Sequence, residues 1–281
     1  MTDPQVDIRQ VSHPEAVRRF DTAELRRHFL IENIFRTGEV TLTYSHIDRL
    51  VVGGATPGAE PLPLSAPKAI GTASFLQRRE LGIVNVGAPG RVRVGEETYA
   101  LSARDALYVG MGAGEVVFES LDAGKPAKFY LVSTPAHASY PTVAINAETA
   151  RKVRLGEDRT ANRRTINQYI HPDVCRSCQL LLGLTVFEEG SLWNTMPAHV
   201  HDRRSEVYLY FDLPAGQRVV HLMGEPQETR HLIVANEEAV LSPGWSIHSG
   251  VGTSAYAFIW AMGGDNQDFT DMDMVAIEDL R

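Results

Sequence analysis

Short apolar or alternating runs, each stopped by a turn rich in glycine or proline, recur along most of this chain and point it toward an all-β architecture with a few short helices. Thr41-Leu42-Thr43-Tyr44, Gly82-Ile83-Val84-Asn85-Val86, Arg91-Val92-Arg93-Val94, Ala106-Leu107-Tyr108-Val109 and Glu115-Val116-Val117-Phe118 are rich in β-branched and aromatic side chains. Their length and alternation are those of half-buried strands. A sandwich or a barrel disposes of the edges that so many strands create. The clear helical signal lies in the first forty residues, where Asp21-Thr22-Ala23-Glu24 caps an amphipathic stretch through Leu25, Phe29 and Leu30. Gly53 to Pro67, dense in Gly, Pro and Ala, reads as a mobile loop over a site.

Asp105-Ala106-Leu107-Tyr108-Val109-Gly110 aligns with Glu238-Ala239-Val240-Leu241-Ser242-Pro243, a faint internal repeat. The expectation is two related antiparallel barrels or sandwiches in tandem, over residues 1–155 and 156–281. At 281 residues and 43% hydrophobic composition, the chain is large and apolar enough to build both cores. Net charge is −8 with basic residues scattered among acids, which argues against a nucleic-acid partner but leaves room for a small anion held by local arginines. No basic leader ahead of an apolar stretch and no membrane-length apolar run is visible, so a cytoplasmic enzyme with no membrane partner is expected. Cys175 and Cys178 form a single Cys-x-x-Cys pair with no second pair to complete a zinc site. They read as reduced thiols without a role.

His199-Val200-His201 is followed by Glu206 and then, after the turn Ser242-Pro243-Gly244, by His248. Strand alternation puts His199 and His201 on one face. The charged run Asp202-Arg203-Arg204-Ser205 reads as a turn that resets the phase, with a new strand starting at Glu206. There Glu206 shares a face with Tyr208 and Tyr210. Three imidazoles and one carboxylate make a complete set of ligands for a divalent transition metal. No His-x-His occurs in the first half, so only the second barrel is expected to carry metal.

The ligand string resembles the two metal-binding motifs of the cupin superfamily, except that Gly244 directly follows Pro243 and Trp245 stands where that superfamily has glycine. A more specific resemblance runs from about Asp21 to Arg281. Tyr44-Ser45-His46-Ile47-Asp48-Arg49, Arg78-Arg79-Glu80-Leu81-Gly82, Asn162-Arg163-Arg164-Thr165-Ile166-Asn167, Leu192-Trp193-Asn194-Thr195-Met196-Pro197, Pro226-Gln227-Glu228-Thr229-Arg230-His231 and Trp245-Ser246-Ile247-His248-Ser249-Gly250-Val251-Gly252 are similar to strings of the 5-keto-4-deoxyuronate isomerase family. That resemblance implies a cytoplasmic, hexameric aldose-ketose isomerase of pectin and uronide breakdown. It implies one zinc ion per chain on His199, His201, Glu206 and His248. The reaction it implies converts 5-dehydro-4-deoxy-D-glucuronate into 3-deoxy-D-glycero-2,5-hexodiulosonate.

Such an isomerisation moves a proton between C1 and C2 through an enediolate, so a cation and a separate base are both needed. Glu225 and Glu228, in the Gly224-Glu225-Pro226-Gln227-Glu228 loop, are the candidate bases, with His231 and His46 behind them. For the substrate carboxylate, Arg163-Arg164 and Arg230 offer planar bidentate donors, and Arg163 and Arg230 are preferred. Trp193, Tyr208 and Trp245 are candidate contacts to the sugar. Two other functions use the same ligand set: an iron or manganese cupin dioxygenase, and a sugar-binding cupin without turnover.

Overall fold

The structure is a computed structural model and describes residues 6–265 and 269–281. It divides into two compact units. The first comprises Met1–Arg9, Asn33–Arg151 and Tyr169–Leu181, and the second Gln10–Glu32, Lys152–Gln168 and Leu182–Arg281. A single cut after residue 155 therefore does not separate them, because two short segments are exchanged. The cause is visible at Leu30–Ile31, which pairs with Ala239 and Val240 of the C-terminal unit as the edge of its sheet. The helix Thr22–Phe29 ahead of it has the expected capping box, Asp21 and Glu24 each accepting from the other's backbone N–H. Its buried Leu25 and Phe29 tie the segment down.

Each unit holds a seven-stranded and a four-stranded sheet. In the N-terminal unit, Arg79–Asn85 lies between Phe129–Pro135 and Ala106–Val109, all antiparallel. Leu81, Ile83, Leu107, Val109 and Leu131 of this large sheet pack with Val92, Val94, Val116 and Phe118 of the small one. Burying each such side chain contributes about 1.5–3 kcal/mol. In the C-terminal unit, Arg204–Phe211 takes the same central place between Ala257–Gly264 and Glu238–Ser242. Leu81 pairs with Val109 and Glu206 with Ser242, the residues that the sequence repeat aligns. Leu81 is thus the counterpart of Glu206, and Arg79 that of Arg204.

The stretch beginning at Gly53 is not a loop at its start. Val51–Thr56 is a fully buried strand between Glu39–Ser45 and Phe129–Pro135. Its glycines answer to crowding: a Cβ on Gly53 would lie 2.1 Å from the Thr41 carbonyl oxygen, and one on Gly54 2.4 Å from that of Ile34. Two glycines that look like a turn are here the condition for close backbone approach.

Candidate metal centre

His199 lies on the two-residue strand His199–Val200, which pairs with Asp273–Met274 near the C-terminus. His201 follows it. Glu206 sits on Arg204–Phe211, a strand that begins two residues earlier than its sequence suggests and is hydrogen-bonded on both sides. His248 directly precedes the strand Ser249–Gly252. These elements bring one donor atom from each of the four residues within 4.8 Å of one another, and all four side chains are buried. Glu206 Oε2 lies 2.9 Å from His248 Nε2 and 3.2 Å from His201 Nε2, while His248 Nε2 and His199 Nε2 are 3.0 Å apart.

The donor set requires a positive charge at its centre. His201 Nδ1 is 2.7 Å from the Asp271 carbonyl oxygen, an atom that can only accept, so Nδ1 carries the proton and the Nε2 lone pair points inward. Burial, and then the neighbouring His248, push the His199 imidazole down to about 2, which keeps it neutral. Burial alone drives the Glu206 carboxyl upward, but the neighbouring His248 and then His201 outweigh it and hold the group below the usual carboxylate range. Imidazole lone pairs and an ionised carboxylate facing one another at about 3 Å repel unless a proton or a metal cation lies between them. Nitrogen and carboxylate donors gathered within 4.8 Å of one another are near enough to share one divalent ion.

A second layer fixes the donors. Arg204 Nη2 donates to the Phe269 and Asp271 carbonyls, both at 3.0 Å, and so holds the same segment that orients His201. Ser242 Oγ lies 3.3 Å from His248 Nδ1. Gly244, the departure from the cupin pattern, passes so near His201 that a Cβ there would sit 2.4 Å from its carbonyl oxygen. The His201 N–H in turn donates to the Gly244 carbonyl at 3.0 Å.

His199, His201 and Glu206 line a cavity of about 350 Å³ within the C-terminal unit. Ile166, Phe258, Trp260 and Met262 give it an apolar wall, and Arg164, Thr195 and Tyr208 supply polar groups. Tyr208 Oη is 3.2 Å from Thr195 Oγ1. Burial raises the Tyr208 phenol well above its ordinary value, so it stays a neutral donor. Beneath it, Tyr210 Oη is 2.8 Å from His221 Nδ1, and both residues are fully buried.

Of the residues expected to serve substrate and catalysis, the structure puts Tyr208 and Arg164 in this cavity and the preferred candidates Arg163 and Arg230, with the rest, elsewhere. Glu225 ends one strand of a hairpin, where it accepts from Arg18 Nε at 2.7 Å. Glu228 and His231 are exposed on the returning strand. His46 packs edge-on against Tyr44 in the N-terminal unit. Arg163 is exposed and paired with Asp158 at 3.0 Å and Glu188 at 2.5 Å. Arg230 spends its guanidinium on the carbonyls of Arg18 and Phe20. Trp245 packs edge-on against Phe29, and Trp193 lines a neighbouring hollow of about 640 Å³ with Asn162 and Ile277. Sequence reasoning passed over Arg204 and the Phe269–Met274 stretch. Cys175 and Cys178 are free thiols in the N-terminal unit, the former pushed up to about 11 by burial.

A model of the KduI/IolB family matches residues 29–277, nearly the whole described chain. The chain belongs to the KduI/IolB family. Within reach of that family stands the "4-deoxy-L-threo-5-hexosulose-uronate ketol-isomerase 1" of Rhizobium meliloti, 58% identical over 276 residues that make up 98% of this chain and 99% of the relative. A similarly named ketol-isomerase of Halalkalibacterium halodurans is 53% identical over 276 residues, 98% of this chain and 100% of the relative. Among solved structures, an IolB-like protein from Salmonella typhimurium superposes with a TM-score of 0.70 at 15% sequence identity, covering 88% of this chain and 96% of that one. Oxalate decarboxylase from Bacillus subtilis reaches 0.53 at 10% identity, over 77% of this chain and 69% of that one. Likeness at those identities shows the fold alone.

Proposed function

We infer that this chain is a metal-dependent ketol isomerase that converts 5-dehydro-4-deoxy-D-glucuronate into 3-deoxy-D-glycero-2,5-hexodiulosonate, a step in the breakdown of pectin and related uronides. One observation carries the reading: near-complete relatives at 53–58% identity are named for this isomerase, in a chain whose four buried donors converge beside a cavity. His199, His201, Glu206 and His248 would hold one zinc ion, a divalent metal that imidazole and carboxylate donors suit. Bound there, a divalent cation supplies Lewis-acid stabilisation of the negative charge that develops on the substrate oxygens.

The chain's own groups do the rest. Tyr208 keeps its proton and donates a hydrogen bond from Oη toward a sugar oxygen, held in direction by Thr195. Among the described lining residues outside the four donors, it is the one side chain with a titratable O–H. Phe258, Trp260 and Met262 keep water from the reacting carbons. The base is sought in this lining and not among Glu225, Glu228 and His231. The family resemblance supports a cytoplasmic homohexamer; no helix among the described residues is long and apolar enough to cross a membrane.

The test is elemental analysis of the purified protein together with an assay of uronate isomerisation and oxygen uptake. Bound zinc with turnover and no oxygen consumption is expected. Oxygen uptake on metal loading, or uronate binding without turnover, would favour the dioxygenase or the non-catalytic cupin instead.

A further inference from the structure

The substrate class named above carries a carboxylate at the end of its carbon chain remote from the reacting C1 and C2. The two arginines that best fit such a group on paper, Arg163 and Arg230, are both engaged elsewhere. Arg164 is not. It opens the strand Arg164–Ile170, in which alternation sends Arg164 and Ile166 to one face, and both line the metal cavity. Its neighbour Arg163 points the other way, into ion pairs at the surface.

Arg164 is half-buried, and among the described residues its hydrogen bond runs from Nη1 to the Asn162 carbonyl at 2.8 Å. Among the described residues no carboxylate pairs with it. The Arg164 side chain is one of the two guanidinium groups lining the cavity. Arg204, the other guanidinium of this lining, is committed to the Phe269 and Asp271 carbonyls. A cation drawn partly out of water without a counter-ion is costly, and an anionic ligand relieves that cost. Burial indeed draws the Arg164 guanidinium below its ordinary value, with Tyr208 and Tyr256 opposing.

We propose that Arg164 is the carboxylate-binding and specificity-determining residue of the cavity, receiving the uronate carboxylate in a fork while the reacting end lies against the four metal donors. The fork geometry and permanent charge of arginine suit a planar carboxylate better than lysine does. Arg164 thereby selects acids over neutral sugars of the same length. This rests on the isomerase reading for the identity of the sugar, but not for the recognition of a carboxylate.

Two measurements keep those apart. In the first, calorimetry of the metal-loaded protein compares D-glucuronate with its neutral amide, D-glucuronamide. The wild type should hold the acid at least tenfold more tightly. Arg164→Gln should lose that preference, Arg164→Lys should keep part of it, and Arg163→Gln should keep all of it, with metal content unchanged in each. A wild type that does not prefer the acid overturns the proposal, as does a folded Arg164→Gln that still prefers it. Should Arg164→Gln fail to fold, the wild type and Arg164→Lys decide by the same criterion. In the second, steady-state kinetics on the keto-uronate should show KM raised at least tenfold in Arg164→Gln with kcat changed less than threefold. A wild type that discriminates acid from amide yet turns nothing over would sink the isomerase reading and leave Arg164 in place.

Discussion

Removing the metal should destabilise the C-terminal unit selectively, and the molecule carries its own reporter. The three tryptophans, Trp193, Trp245 and Trp260, all belong to that unit, and Trp260 lines the cavity. Free metal at about one hundred to one thousand times its Kd stabilises the bound state by about 2.7–4.1 kcal/mol. A unit of this size has an unfolding entropy near its midpoint of roughly 0.3 kcal/mol/K, so stripping the ion should lower the tryptophan-detected Tm by about 9–14 °C. The close approach of His248 and His199 Nε2 at 3.0 Å adds to the effect, since the bare donors repel. The assay is a fluorescence melt of protein with verified metal content, before and after dialysis against a chelator, repeated on His248→Ala. The variant should start at the lower Tm and ignore the chelator. A tryptophan transition that stays put when bound metal is removed, or a His248→Ala protein that shifts as far as the wild type, would refute the argument that these four donors surround the ion.

Three further outcomes follow from other parts of the molecule. Arg204→Met, which frees the Phe269–Asp271 carbonyls and with them the acceptor that orients His201, should weaken metal binding about 10–100-fold, read by competition with a chromophoric chelator; unchanged affinity would remove Arg204 from the support of the site. Glu80→Ala in the N-terminal unit strips the buried partner of the Cys178, Gln179 and Leu180 N–H groups and of the Tyr108 and Thr134 hydroxyls, and should cost about 3–5 kcal/mol by urea unfolding. His221 is pushed down to about 3, first by burial and then by His248, so the unfolded chain binds the extra proton between that value and about 6.5. Its contribution is therefore complete above about pH 6.5 and is lost as pH falls, at up to about 1.4 kcal/mol per pH unit, and His221→Gln should flatten that slope in metal-loaded protein.

What the sequence disclosed, it disclosed through short-range periodicity. Alternation fixes faces within one strand, so His199, His201, Glu206 and the Tyr208–Tyr210 stripe were legible, as were most strands and the capped helix Thr22–Phe29. Alternation also separates Arg163 from Arg164, but only once the strand is known to begin at Arg164 and Ile166 is known to face inward. Glu225 and Glu228 looked apt because they fall in a loop of the metal half, and nothing local reveals which end of a hairpin meets a cavity. The Gly53-Gly54 pair reads as a loop because a glycine required by close backbone approach within a strand and one required by a turn look alike in composition. The Phe269–Met274 wall has no period at all, since its place is set by Arg204 and by pairing with His199–Val200.

The exchanged segment at Gln10–Glu32 has a consequence for how this molecule comes into being. Emerging early from the ribosome, that helix and the edge residues Leu30–Ile31 have no sheet to join until Glu238–Ser242 has been synthesised some two hundred residues later. The last strands made must therefore capture one of the first, which ties completion of the catalytic half to an intact amino-terminal arm. Trimming the chain before Asn33 should harm the half that lies farthest from the cut in sequence.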